Sequence, residues 1–342
     1  MANNCSYTPL ANEMLENLLE DNPQMLPILI TCSIITLIEV ILFFEAWLWV
    51  LRYIPYSDRR TSIVWLIGIY PVFCATCLLG LYIPRAAGLC TLTGTAFFAV
   101  CLYQFITLIV DYFGGLDAMI ITMNGTKFSL ARPPLLCLFQ CLPKFEMTRR
   151  NYRILETCVL QTAIIRPVIL FITEVLKIDG SLNENPDVAA TTTLILNCIT
   201  LVSAIFAVSA LIVFFSASKN FLKPYRIKIK FLCVQTALIL SNVQSVLLII
   251  LTRFDVIKCN KPFDTPDRGY QWHCFLLTVE SAIMFIPTLL IFRTTNGNVT
   301  RIRRVRPSTF SGMMPSDGTP DENAPLLHPK DRSKSFGVVK EL

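Results

Sequence analysis

Six ionisable side chains interrupt long apolar runs, and each is a candidate for chemistry because an ionised group near a bilayer centre costs at least ~2.5–3.5 kcal/mol. Glu39 and Glu45 fall in the first run, Asp111 closes the third, Arg166 stands in the fourth directly before Pro167, and His273 and Glu280 lie in the last. Arg166 is too far from either end of its run to snorkel, and Pro167 frees a backbone carbonyl beside it. Two readings of Arg166 stay open. It ties helices together by pairing with Glu280 or Glu39, or it is a counter-charge for an anionic substrate. Gln235 and Asn242, seven residues apart, share a helix face with Gln244 and Ser245 close by, an arrangement that usually serves helix packing. A single His offers no metal cluster, so no metal is expected. The chain has no G-x-x-x-x-G-K-[ST], H-E-x-x-H or G-x-S-x-G motif. ATP-driven pumping and hydrolysis are therefore not expected, and no cofactor is called for.

These groups need helices in lipid to position them. The chain of 342 residues is 54% hydrophobic and 16% charged, with a mean hydropathy of +0.56. Seven stretches satisfy the roughly 20 apolar residues that a ~30 Å hydrocarbon layer requires: 25–51, 62–83, 87–113, 154–176, 190–216, 231–252 and 273–292. The expected fold is an all-α integral membrane bundle of seven transmembrane helices. It is framed by an extracellular segment 1–24 and a disordered cytosolic tail 293–342, which is rich in Ser, Pro, Gly, Asp and Lys. Residues 1–24 carry four acidic groups and no Lys or Arg, unlike a basic secretory leader. Leu10, Met14, Leu15 and Leu18 recur at helical spacing there, as in a short interfacial helix.

Orientation follows from charge. With the N-terminus outside, 23 Lys and Arg face the cytosol and 6 face the opposite side, which satisfies the positive-inside rule. The net charge of +6 then reflects bilayer orientation and calls for no nucleic-acid partner. Cys259 and Cys274 fall at the last outer loop, where a disulfide is compatible with the oxidising side. Cys137 and Cys141 lie in an apolar, Pro-rich cytosolic patch, as palmitoylated cysteines or as free thiols. Cys74-x-x-Cys77 has redox spacing but sits inside a span, where packing is the expected role. Asn4-Cys5-Ser6 is an outer glycosylation sequon. The tail offers Arg301, Arg303, Arg304 and Arg306 to the anionic leaflet at about 1 kcal/mol each. It also holds Glu322-Asn323-Ala324-Pro325-Leu326-Leu327, an acidic dileucine form that clathrin adaptors read.

Several short motifs, in order and spacing, carry a family resemblance. They are Phe44-Glu45, Leu81-Tyr82-Ile83-Pro84-Arg85, Phe97 to Tyr103, Asp111-Tyr112-Phe113-Gly114-Gly115, the patch around Cys137 and Cys141, and Gln161 with Ile165-Arg166-Pro167. Lys230-Phe231, Gln244, Cys259, Cys274 and Glu280 complete the set. Over roughly 25–292 the chain resembles the alpha subunit of the organic solute transporter. The resemblance implies a facilitative plasma-membrane carrier for amphipathic organic anions such as bile acids and steroid conjugates, without enzymatic activity and without a cofactor. It also implies a single-span beta subunit as partner, with homo- or hetero-oligomers open. Arg166, Glu280, Glu45, Asp111, Gln161 and Gln244 are the candidate substrate-binding residues. The cysteine patch is sparser than the dense run of vertebrate members, and Arg166-Pro167 is closer to their broader eukaryotic relatives. A trafficking or scaffold protein on the same fold, acting through its cytosolic loops and dileucine tail, is the alternative; the dileucine form also leaves endosomal cycling of the plasma-membrane protein open. A seven-helix receptor fits less well, because span three ends without a D-R-Y triplet and span seven lacks N-P-x-x-Y.

Overall fold

The computed structural model describes residues 25–54, 57–128, 145–179, 186–254, 256–257 and 265–293. The chain divides into two units, Met1–Arg304 and Val305–Leu342; the second lies wholly outside the described residues. Asn4, Cys137, Cys141, Cys259, Glu322, Leu326, Leu327 and the expected interfacial helix also lie outside them.

The first long helix shows why lipid is the solvent. Helix α1, Met25–Tyr53, buries Met25, Leu29, Cys32, Thr36, Glu39, Ala46 and Val50, a stripe that recurs every three to four residues. Its opposite face exposes Ile30, Ile34, Leu37, Ile38, Ile41 and Leu48. The inward stripe thus holds the polar groups and the outward one is aliphatic, the reverse of a helix in water.

Five further helices are long and apolar enough to cross a membrane: α4, Ala87–Phe113; α6, Arg149–Asp179; α7, Pro186–Ser218; α8, Ile227–Arg253; and α9, Thr265–Phe292. The expected continuous second span, 62–83, is instead two helices, α2 (Ser57–Ile67) and α3 (Ile69–Tyr82), bent by 42°. The cause is local. Pro71 has no N–H to bond the Ile67 carbonyl, so the hydrogen-bond ladder is interrupted one turn into α3. At Gly68 a Cβ would stand 3.1 Å from the Phe97 ring and 3.3 Å from Phe43, so a larger residue would push neighbouring helices apart. Counted as one crossing, the bent pair brings the total to seven.

Helix α4 is the hub, packed by α2, α3 and α6, while α9 packs on α1, α3 and α8. Gly114, at φ 87°, closes α4 in the left-handed conformation that lets its N–H reach the Asp111 carbonyl at 2.9 Å. A short helix α5, Leu116–Thr122, follows. Two-residue strands β1, Lys127–Phe128, and β2, Phe145–Glu146, then pair antiparallel, Lys127 opposite Glu146, and bring together the two ends of the cysteine-bearing segment.

Candidate functional site

Arg166 lies near the middle of α6, with Pro167 inside the helix beside it. It lines a cavity of about 110 Å³ enclosed by five helices. Phe73, Thr76 and Cys77 come from α3, Thr91 and Thr95 from α4, Ser241 and Ser245 from α8, and Tyr270, His273 and Leu277 from α9. A second void, of about 10 Å³, opens on the other flank of Arg166 between Phe98, Leu102, Thr162, Leu238 and Asn242. The convergence has local causes. Thr91 returns its hydroxyl to the Ala87 carbonyl at 2.9 Å, and Tyr270 donates to the same carbonyl at 3.5 Å, which fixes the mouth between α4 and α9. Asn242, which lines the smaller void, donates to the Leu238 carbonyl at 2.7 Å.

Among the described residues, Arg166 makes no ion pair, and neither void is lined by Asp or Glu. The expected tie to Glu280 or Glu39 is not formed. Glu280 instead accepts from Gln244 Nε2 at 3.2 Å, across α8 and α9. Glu39 is enclosed elsewhere, between α1, α3 and α9. His273 faces Arg166 across the cavity with its Nδ1 unpartnered. The result is a cationic group at mid-depth, ringed by hydroxyls and one imidazole, with aromatic and leucine walls. Such a chamber attracts an anion and offers apolar contact to the rest of a molecule.

The other sequence candidates do not join it. Gln161, on the same helix as Arg166, is half-buried and lines neither void. Glu45 pairs with Arg293, just beyond the end of α9. Asp111 accepts from Arg59 Nε at 2.6 Å. Both carboxylates therefore sit at the basic end of the bundle, apart from the mid-depth chamber. That end contains a cluster the sequence reading did not foresee. Lys230, 1% exposed, donates to the Tyr112 hydroxyl at 2.6 Å and rests over the Tyr112 and Phe292 rings at 4.8 and 5.5 Å. Tyr225 stacks on Tyr112 at 4.4 Å, and burial raises its phenol above the ordinary value, so the ring stays neutral. The signal for this cluster was the motif pair Asp111-Tyr112 and Lys230-Phe231, but nothing in the sequence placed them face to face.

Cys274 is a free, buried thiol next to Cys77, whereas Cys259 lies outside the described residues. Cys74 and Cys77 are likewise buried and free, as packing residues. A larger hollow of about 560 Å³ lies along Arg149, Arg150, Arg153 and Cys158, but it is open and lined by α6 alone. Among the described residues no group of three His, Cys, Asp or Glu side chains is placed to hold a metal ion.

The chain is 27% identical over 255 residues to the organic solute transporter subunit alpha of Danio rerio, covering 75% of this chain and 78% of the relative. It is 28% identical over 295 residues to organic solute transporter alpha-like protein 3 of Caenorhabditis elegans, covering 83% and 81%. To the subunit alpha of Bos taurus it is 26% identical over 288 residues, covering 84% of each. No solved structure matches the chain. The profile of the family described as organic solute transporter Ostalpha spans residues 28–296, from the first turn of α1 to just past the end of α9, and the chain belongs to that family.

Proposed function

We propose that this chain is a membrane transporter of organic solutes, and that its solutes are amphipathic anions held at Arg166. The observation that carries the proposal is a mid-depth guanidinium with no carboxylate partner among the described residues, facing a chamber of hydroxyls and apolar walls. A steroid conjugate or bile acid has one anionic head for Arg166 and a flat apolar body for Phe73, Phe98 and Leu277. Sites for such molecules run to about 300–1,000 Å³, and the chamber holds about 110 Å³. The conformation described is thus a contracted one, and entry of solute requires the helices around Arg166 to part. Names of relatives that contain the words organic solute transporter support the transport reading.

The excess of 23 Lys and Arg over 6 supports an orientation with the N-terminus outside and the tail in the cytosol. It suits residence in the plasma membrane, with the dileucine Glu322, Leu326 and Leu327 as a route to clathrin adaptors and endosomes. The term subunit in two of the relatives' names supports work in an assembly, and a single-span beta chain is the partner that the family resemblance implies.

Uptake of a labelled steroid sulfate into cells expressing the chain tests the site. Arg166→Ala abolishes uptake while surface expression persists, and Arg166→Lys retains a part of it. Uptake that is unchanged by Arg166→Ala at normal expression removes Arg166 as a solute contact.

A further inference from the structure

The most deeply enclosed carboxyl of the described residues is used by none of the foregoing. Glu39 is 2% exposed, on the inward stripe of α1, and neither of its carboxylate oxygens has a hydrogen-bond partner. One turn earlier on the same stripe, the Thr36 hydroxyl is also buried and unpartnered, and so is the Ser281 hydroxyl on α9. The thiol of Cys74, on α3, lies beside both Glu39 and Ser281 and is aimed at the Thr278 carbonyl at 3.8 Å. Three helices therefore enclose four oxygen atoms that lack partners.

Among the described residues, no charge nearby compensates an ionised Glu39. Helix α3 carries no Asp, Glu, Lys, Arg or His, and its titratable groups are Tyr70, Cys74, Cys77 and Tyr82. Tyr70 donates to the Cys233 carbonyl at 2.7 Å, and Cys74 points its thiol at the Thr278 carbonyl at 3.8 Å. On α9, Glu280 is engaged by Gln244, His273 faces Arg166, and Tyr270, Cys274, Asp267 and Arg268 lie nearer the helix start. Helix α2 bears Asp58, Arg59 and Arg60 in its first turns, where Arg59 holds Asp111 and Arg60 holds the Ile54 carbonyl at 2.8 Å. On α1 itself Glu45 is paired with Arg293, Arg52 lies in the last turn, and Cys32 is a buried free thiol. Bare ionisation at mid-membrane is the costliest state available to this group. Four neutral or singly charged oxygens are also fewer than a dehydrated hard cation ordinarily takes. One proton cancels the charge of the enclosed carboxyl.

We propose that Glu39 is a proton-binding site, occupied in the contracted conformation and emptied when α3 and α9 separate. The placement of the neighbours links it to the chamber. Cys77, His273 and Leu277 line the Arg166 cavity, while Cys74, Thr278 and Ser281, one turn along the same two helices, surround Glu39. A movement of α3 against α9 that admits a solute also admits water to the carboxyl. The link to transport rests on the anion reading given above; the occupancy of Glu39 by a proton does not.

Infrared spectroscopy of the full chain in phosphatidylcholine vesicles tests the occupancy. At neutral pH the wild type is expected to show the carbonyl stretch of a protonated carboxyl. The band disappears in Glu39→Gln, is displaced in Glu39→Asp, and shifts in Ser281→Ala. Glu39→Asp keeps the test decisive if the amide variant fails to fold. Absence of the band, or its persistence in Glu39→Gln, overturns the proposal. So does a band that appears only when sodium chloride is replaced by N-methylglucamine chloride, which would make the site a sodium site. A second arm loads the vesicles with a pH-sensitive dye and adds labelled steroid sulfate. The wild type is expected to give a pH transient with the flux, and Glu39→Gln flux without the transient. Equal transients in both remove the coupling. If the wild type moves no steroid sulfate, the anion reading fails while the infrared result stands.

Discussion

Arg59 and Asp111 join the start of the bent second crossing to the end of α4, with Arg59 Nε 2.6 Å from the Asp111 carboxylate. The guanidinium side chain is 6% exposed and the carboxylate 31%, so the pair is shielded on one side and open on the other. It also lies 5.0 Å over the Tyr112 ring, which continues the contact toward Lys230. Removal of Asp111 takes the carboxylate from a guanidinium that rests on that ring.

Asp111→Asn is therefore expected to destabilise the detergent-solubilised protein by about 2 kcal/mol, below the full cost of breaking a buried pair because water reaches Asp111. Arg59→Ala should cost a similar amount, and the double variant less than the sum of the two. Thermal unfolding followed by fluorescence-detected size exclusion measures all three. Strict additivity would show that the two side chains do not depend on each other.

Tyr112→Phe is expected to be worse than Lys230→Met. The first variant leaves a buried ammonium without the phenol oxygen it bonds at 2.6 Å, at a cost of about 1–3 kcal/mol. The second removes the charge and keeps a chain of similar length between Tyr112 and Phe292, where an apolar replacement is often neutral. The order of the two melting temperatures checks this.

At Gly80, on α3, an added Cβ would run into the Tyr270 hydroxyl. Gly80→Ala should displace Tyr270 from the Ala87 carbonyl and reshape the mouth of the Arg166 chamber, so that solute uptake falls more than stability. Gly80→Val pushes against the whole helix and is expected to cost about 1–3 kcal/mol. Adding Tyr270→Phe to Gly80→Ala should restore part of the uptake, since the clashing atom is gone. Uptake and melting curves of the three variants, read together, decide it.

Ending the chain after residue 300 removes the dileucine and most of the tail arginines. A transporter built on residues 25–292 keeps its flux in reconstituted vesicles and changes its distribution in cells, whereas a trafficking factor loses its effect. Tags on the two ends test the orientation. The N-terminal tag should be labelled on intact cells and the C-terminal one only after permeabilisation.

The seven apolar runs were readable because lipid demands aliphatic residues on faces that water would make polar, and composition alone carries that signal. Arg166 was readable for the same reason, as a charge where none is tolerated without purpose. Partner choice was not readable. Arg166 and Glu280 look complementary in a list of residues, yet rotation of α9 turns Glu280 to Gln244 and His273 to Arg166. A helix that is apolar all round does not announce its rotation. Depth was also hidden. Glu45 reads as lying inside the first run, 25–51, because the ends of uninterrupted apolar runs are poorly marked, whereas Asp111 reads as lying at the end of the third. The structure places both in ion pairs at the basic end. Gly68 and Pro71 were visible as residues, but the apolar run across them concealed the break.

That break divides one crossing into two rigid pieces joined at a single residue. The lower piece is anchored through Arg59 to α4, and the upper piece bears Cys74 and Cys77 between the Glu39 enclosure and the Arg166 chamber. An unbroken rod would convey every tilt from its foot to its head. A jointed one lets the upper segment rock while its foot stays fixed, and leaves the Ile67 carbonyl without the usual helical donor at the fulcrum.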